Sequence, residues 1–367
     1  MPWPPAPELL APLAPWFDRS RRDLPWRAPD LDAPHPDPYA VLVSELMLQQ
    51  TQVATVIPYF ARWMERFPTP GALAESEEDA VHKAWEGLGY YRRARFLKAA
   101  AGTVAAEGWP ADLEGLAELP GLGPYTAAAV GAIAFQWPTP ALDGNAFRVL
   151  ARLLEIEGDP KARAGDLRAW LAPALAALGA SRLTQALMEM GATVCTPQPA
   201  CDRCPLGARC GARLAGRVAE IPPATRRAKV RSVELWLLAV EAEDHVLLHP
   251  PAVRGFLAGL WRWPSLEVAE EARAGRPVSG LRAWPGWTQV YTHRREGVNP
   301  LHLQMAERFQ EASGLRWMPR TGLAALPMGK RDQRLRDLLE TPGEVPLAPP
   351  DPQALVARLR AGGAPWA

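Results

Sequence analysis

The sequence predicts a mainly α-helical domain followed by a smaller α+β domain, and three observations carry that prediction. From residue 39 to about 195, apolar positions recur every third and fourth residue. After residue 232 the period changes to alternation. Between the two stretches lies a compact loop that holds all four cysteines of the 367-residue chain. A chain of this length accommodates two domains.

The elements follow in order. The opening stretch MPWPPAPELLAPLAPWF has no basic region and no long apolar core, so it does not read as a secretory signal. No run approaches the length of a membrane span, and a soluble, cytoplasmic monomer is expected. Ala28–Pro38, rich in Pro and Asp, reads as a surface loop. Leu42, Leu46, Val53, Ile57, Phe60, Met64 and Phe67 form one helical stripe. Pro68-Thr69-Pro70-Gly71, Gly87-Leu88-Gly89, Pro120-Gly121-Leu122-Gly123-Pro124 and Pro138-Thr139-Pro140 separate successive helices. The helical domain spans residues 1–215, and a linker containing IPPATRRAKVR spans 216–231. Residues 232–340 form the α+β domain. There Val233, Leu235, Leu237 and Ala239 alternate, Glu243-Asp244-His245 turns the chain, and a helix is expected near 328–340. Residues 341–367 form a Pro-rich tail. Basic and acidic residues number 41 and 40, so any nucleic-acid surface must be local.

Cys195, Cys201, Cys204 and Cys210 are spaced C-x5-C-x2-C-x5-C, with Pro197, Pro199 and Pro205 among them. Thiolates this dense suit one shared metal centre rather than paired disulfides. Zinc usually uses two knuckles held apart by a dozen or more residues; a single compact loop suits a cubane iron–sulfur cluster better.

Three further segments carry chemistry. In SELMLQQTQV, Glu45 shares a helical face with Val41, Leu42 and Leu48, so desolvation should raise its pKa and let it act as an acid near neutrality. Gln49-Gln50-Thr51 beside it suggests a polar, base-reading surface. LPGLGPYTAAAV, residues 119–130, places two glycines in a tight turn before a helix, where backbone amides can meet a phosphate. In ALDGNAFRVLARLL, Asp143 precedes a helix whose positive end favours its ionised form; alone it reads as a cap. Together, one protonated and one charged carboxyl group form the pair needed to cleave a glycosidic bond through a cationic sugar.

SELMLQQTQVATVIPYF, GLGYYRRAR, LPGLGPYTA, LDGNAFRVLARL and the four-cysteine loop together resemble the MutY-type adenine DNA glycosylases of the helix–hairpin–helix superfamily, which also contains endonuclease III. The resemblance runs from about Leu24 through Cys210 and continues more loosely into a degenerate Nudix-like domain.

That resemblance implies a monofunctional enzyme acting on adenine mispaired with 8-oxoguanine or guanine in double-stranded DNA. Glu45 would protonate adenine N7, and Asp143 would stabilise the oxocarbenium ion. Tyr125 and Asn145 would assist around the sugar. Tyr90 would wedge into the duplex while adenine is flipped out. Gln50 and Thr51 would lie at the base pair, and Arg22, Leu24, Trp26 and Arg27 would line the adenine pocket. Leu119, Gly121 and Gly123 would form the DNA-binding hairpin. The four cysteines would hold a 4Fe-4S cluster that rigidifies a basic loop, including Arg203 and Arg209, against the DNA backbone. Thr292 and His293 would stand at the turn that reads 8-oxoguanine.

Four alternatives stay open. An endonuclease III-type lyase needs a lysine where Tyr125 stands, and tyrosine forms no imine. Among thymine-mismatch glycosylases the target base has no N7, which Glu45 argues against. A Nudix pyrophosphatase needs a glutamate motif that Glu267-Val268-Ala269-Glu270-Glu271 does not supply. A non-catalytic damage-binding protein is disfavoured by the joint presence of Glu45, Asp143, Tyr125 and Asn145.

Overall fold

A computed structural model describes residues 3–223, 230–252, 255, 257–268, 281–291, 294–305, 307–308 and 314–340. The chain divides into two units: Met1–Ser76 with Arg93–Arg226, and Glu77–Arg92 with Arg227–Ala367. The division differs from the expected one in a single respect. Sixteen residues from the middle of the helical stretch, Glu77–Arg92, group with the C-terminal unit.

The helices are α1 (Ala6–Leu10), α2 (Leu13–Ser20), α3 (Pro38–Leu48), α4 (Val53–Arg66), α5 (Pro70–Glu75) and α6 (Glu78–Trp85). They continue as α7 (Arg92–Glu107), α8 (Leu113–Glu118), α9 (Pro124–Phe135), α10 (Gly144–Leu153), α11 (Ala164–Leu178), α12 (Ala180–Thr193) and α13 (Gly211–Leu214). In the first unit, α1 packs on α11 and α2 on α12, so Leu9, Leu10, Leu13 and Phe17 join the core built by α10, α11 and α12. Nearly every residue of α9, from Thr126 to Ala134, is buried. Its alanine-rich sequence lets α3 and α12 approach it closely from different sides.

Two expectations need correction here. Ala28–Pro38 is not a loose surface loop. Leu31 is buried, Gln136 Nε2 donates to the carbonyls of Leu31 (2.7 Å) and Ala33 (2.9 Å), and His35 N donates to Ala134 O (2.9 Å). Nor do residues 42–67 form one helical stripe. Asp37 caps α3 through the amides of Tyr39 and Ala40, but the helix ends at Leu48. The reason is Arg93, whose buried guanidinium receives the carbonyls of Leu46 (2.7 Å), Met47 (2.9 Å) and Gln49 (2.6 Å). Those C-terminal carbonyls therefore need no further helical turn, and Gln50 departs at φ 57°. α4 then starts in a new register. It buries Val56, Phe60 and Trp63 and leaves Ile57 37 % exposed.

The second unit is built on a seven-stranded mixed sheet. Its strands are β1 (Arg231–Ala242), β2 (His245–Leu248), β3 (Ser265–Val268), β4 (Leu281–Ala283), β5 (Trp287–Val290), β6 (Arg294–Gln304) and β7 (Arg316–Pro319), followed by α14 (Lys330–Glu340). The order is β4-β6-β1-β2-β7, with β3 also on β1 and β5 also on β6. Only β1 and β6 pair in parallel. The expected turn after β1 is a two-residue hairpin, with Glu243 and Asp244 both at positive φ as a right-twisted pair requires. β1 is buried on both faces, Leu235, Leu237 and Ala239 on one and Trp236, Leu238 and Val240 on the other. Alternation in its sequence reports only the first of those faces. No helix among the described residues is long and apolar enough to cross a membrane.

Candidate active site

A cavity of about 380 Å³ opens in the first unit, within the range of small-molecule clefts. α3 presents Glu45 to it, α9 presents Tyr125, and the start of α10 presents Asp143 and Asn145. Glu45 is only 7 % exposed. Its carboxyl is pushed up to about 7, chiefly by burial and further by the charge of Asp143, against the opposing hydrogen bond from Tyr125. Tyr125 Oη donates to Glu45 Oε2 at 3.1 Å. Burial, followed by the two nearby carboxylates, raises the phenol well above its ordinary value, so it remains a donor.

Asp143 is both cap and site residue. Oδ1 accepts from the amide of Ala146 (2.6 Å), while Oδ2 accepts from Asn145 Nδ2 (2.9 Å). The orientation of the Asn145 amide is fixed by Arg148, whose Nη2 donates to Asn145 Oδ1 at 2.8 Å. Gly191 on α12 lets the start of α10 come this close: a Cβ there would stand 2.5 Å from Asn145 Cβ.

The opposite wall carries Arg22, Leu24, Trp26 and Arg27, with Gln50 and Thr51 at the turn after α3. Trp26 is also a core residue, set edge-on against Phe60. Glu189 and Gln185 belong to this wall and carried no sequence signal. Glu189 is 1 % exposed. Its carboxylate accepts from Arg22 N, Nε and Nη2 (3.2, 2.7 and 3.0 Å) and from Arg27 Nη2 (2.7 Å). Burial alone would raise its pKa, but the Arg22 and Arg27 hydrogen bonds outweigh that and hold it below the ordinary range. Arg27 Nε also donates to Gln185 Oε1 at 3.1 Å. These partners sit more than 150 positions away in the sequence, so only the fold reveals them.

Leu119, Gly121 and Gly123 stand outside the cavity lining and form the turn from α8 to α9. Gly121 has φ +79° and lies directly against Phe96, leaving no room for a side chain. Gly123 opens α9 without any side-chain cap, ahead of Pro124. Tyr90 belongs to the second unit, 43 % exposed and at φ 49°. Thr292 and His293 lie outside the described residues.

The four cysteines line a separate small cavity in the first unit, walled by Val194, Pro199 and Val218. None of them is in a disulfide. Burial, and then the neighbouring cysteines, push Cys204 up to about 11 and raise Cys210, so a cationic centre would be needed to hold them as thiolates. No group of three or more His, Cys, Asp or Glu among the described residues is gathered to hold a single metal ion. A set made only of thiols around a common space fits a polynuclear thiolate-ligated group better. Arg152 Nη1 reaches Cys195 Sγ at 3.4 Å and Thr196 O at 2.6 Å, and Arg148 Nε donates to Cys195 O at 2.7 Å. Arg209 turns to the carbonyl of Glu8 (2.6 Å).

Comparison with known proteins fits this geometry. Residues 43–173 match the HhH-GPD superfamily base excision DNA repair protein family. The adenine DNA glycosylase of Homo sapiens is 35% identical over 373 residues, covering 86% of this chain and 68% of that protein. The chain belongs to the adenine DNA glycosylase family. The family member from Mycolicibacterium smegmatis is 43% identical over 213 residues, covering 57% of this chain and 69% of its own. The Arabidopsis thaliana adenine DNA glycosylase is 38% identical over 299 residues, or 70% of this chain. The aligned region spans 47% of that plant protein and 63% of its Mus musculus counterpart.

Proposed function

We propose that this chain hydrolyses the N-glycosidic bond of adenine mispaired with 8-oxoguanine or guanine in duplex DNA. The observation that carries the reading is Glu45, a buried acid brought near neutrality at the end of a cavity that also holds Asp143. A paired base cannot reach a recessed cavity, so the adenine must first be extruded, with Tyr90 filling the gap. Glu45 then gives its proton to N7 and turns the base into a leaving group. As the C1′–N9 bond breaks, the positive charge on the sugar is met by Asp143, which Asn145 and Ala146 N keep oriented. Water adds at C1′ and loses its proton. Tyr125 holds Glu45 from one side without competing for the role of acid.

Specificity for the base falls to the wall that Glu189 braces. Its carboxylate is fully engaged by Arg22 and Arg27, so it fixes those side chains rather than meeting the base itself. The turn 119–123 and the uncapped start of α9 would take a backbone phosphate. Thr292 and His293 are proposed to read 8-oxoguanine.

Cys195, Cys201, Cys204 and Cys210 would hold a 4Fe-4S cluster. When bound, it cross-links the loop 195–210. Arg148 and Arg152 then pass that rigidity to the start of α10.

The test is base release from duplexes carrying A:8-oxoguanine, A:G, T:G and thymine glycol, with and without borohydride. Adenine release without a trapped adduct, and strand breakage only after alkali, is the expected result. A trapped imine or a thymine product would reassign the chain to another branch of the superfamily. Four irons per chain, not one zinc, is the expected metal content.

A further inference from the structure

We propose that the sheet unit carries the wedge turn 86–91, and that Tyr91 is the residue that positions it. The inference rests on the reading of Tyr90 as the wedge. Gly87 and Gly89 both adopt positive φ, and Tyr90 between Gly89 and Tyr91 does so without being glycine. A tyrosine in that region is strained and persists only where its surroundings hold it.

The surroundings are specific. The buried Tyr91 hydroxyl accepts from Gly87 N (3.2 Å) and donates to Met328 O (3.3 Å). One hydroxyl thereby ties the start of the turn to its end and both to the sheet unit. From the preceding residue, Glu86 Oε1 accepts from Met328 N at 2.9 Å. The turn thus occupies both backbone groups of a residue that is itself fully buried. Met328 in turn bridges to Trp261, and Trp261 N donates to Pro327 O at 3.0 Å. Inside the turn, Trp85 Nε1 donates to Gly89 O at 3.1 Å. On the preceding helix, His82 packs against Gly259, where a Cβ would come within 2.6 Å of the ring.

A wedge works by resisting the stack that pushes it back out, and a wedge on a slack loop yields instead. Here the load on Tyr90 passes to the backbone at Gly89 and Tyr91 and then to Met328 and the sheet. The unit expected to read the opposite base therefore also holds the side chain that replaces adenine in the stack.

The experiment compares single-turnover adenine release by the full-length protein from two duplexes. One carries A opposite 8-oxoguanine. The other carries A opposite an abasic site, where no pair has to be broken. Tyr91→Phe keeps the ring and removes both hydrogen bonds; it should slow release about tenfold from the paired duplex and less than about twofold from the unpaired one. Glu86→Ala should repeat that pattern, and Glu86→Gln, which keeps the acceptor, should restore the wild-type rate. The Glu86 pair also decides the matter should Tyr91→Phe unfold. Wild-type rates on both duplexes, or equal losses on both, would overturn the proposal. Should the wild type itself release no adenine from either duplex, the functional reading fails and this inference with it.

Discussion

Arg148 joins Cys195 to the site carboxylate: Nε donates to the Cys195 carbonyl at 2.7 Å, and Nη2 donates to Asn145 Oδ1 at 2.8 Å. A third bond, from Nη2 to Gly191 O at 2.7 Å, keeps the guanidinium in plane with both. Asn145 passes the constraint to Asp143 Oδ2. Lysine could keep the charge at 148 but not the fork. Arg148→Lys is expected to lower the single-turnover rate about 10- to 100-fold by misorienting Asn145, with iron content unchanged. An unaltered rate would remove Arg148 from the site.

Glu45→Gln is expected to retain binding to the mispair and to lose at least about a hundredfold in adenine release, the usual worth of a positioned general acid. Intact turnover would exclude Glu45 as the proton donor.

Glu45 also makes stability depend on pH. Its folded-state value of about 7 lies above the ordinary 4.5, chiefly because it is buried. The stabilisation from its uptake of a proton is full below about pH 4.5 and is lost as pH rises through about 7. The loss is on the order of 3 kcal/mol. Glu45→Gln carries no such charge, so its unfolding midpoint should exceed that of the wild type by several degrees more at pH 8 than at pH 5. Parallel midpoints across that range would mean that Glu45 is not desolvated.

Tyr125→Phe removes a hydrogen bond that favours ionised Glu45. The carboxyl value should therefore rise, carrying the alkaline limb of the rate–pH profile upward by roughly one unit. The same variant should lower the maximal rate about tenfold, because the acid loses its orientation. A downward displacement of that limb would contradict the hydrogen bond.

Gly191→Ala should be among the most damaging small substitutions in the first unit. The new Cβ would meet Asn145 Cβ at 2.5 Å and its Cα at 3.1 Å, forcing α10 and α12 apart. A stability loss of about 1–3 kcal/mol is expected, measured by denaturant unfolding. A larger fractional loss of activity should accompany it, since Asn145 moves first.

Much of the site is legible in local sequence. Glu45 announces itself by its apolar neighbours, and Asp143 by its place before a helical pattern. The cysteines stand out by spacing. Residues that act over long separations are silent. Arg93 reads as one of three arginines in RRAR, yet it ends α3 by claiming carbonyls 44–47 positions earlier. Glu189 lies in an ordinary helical stretch, and only the fold brings Arg22 and Arg27 to it. The same holds for β1, where parallel pairing with β6 buries a second face that alternation cannot report. The grouping of Glu77–Arg92 with the sheet unit has no local signal at all, because its partners lie as far off as Met328.

That distance has a consequence for biosynthesis. Tyr91 leaves the ribosome 237 residues before Met328, and at about 5–20 residues per second the interval is on the order of 10–50 s. Throughout it, Glu86 and Tyr91 lack the backbone groups they bind in the finished chain, and His82 lacks Gly259. The surrounding helical unit can close once α12 has emerged to meet α2. It must do so with a sixteen-residue inset still waiting for its partners. A nascent chain at that stage is therefore a natural client for a holding chaperone and an early target for proteolysis between residues 77 and 92.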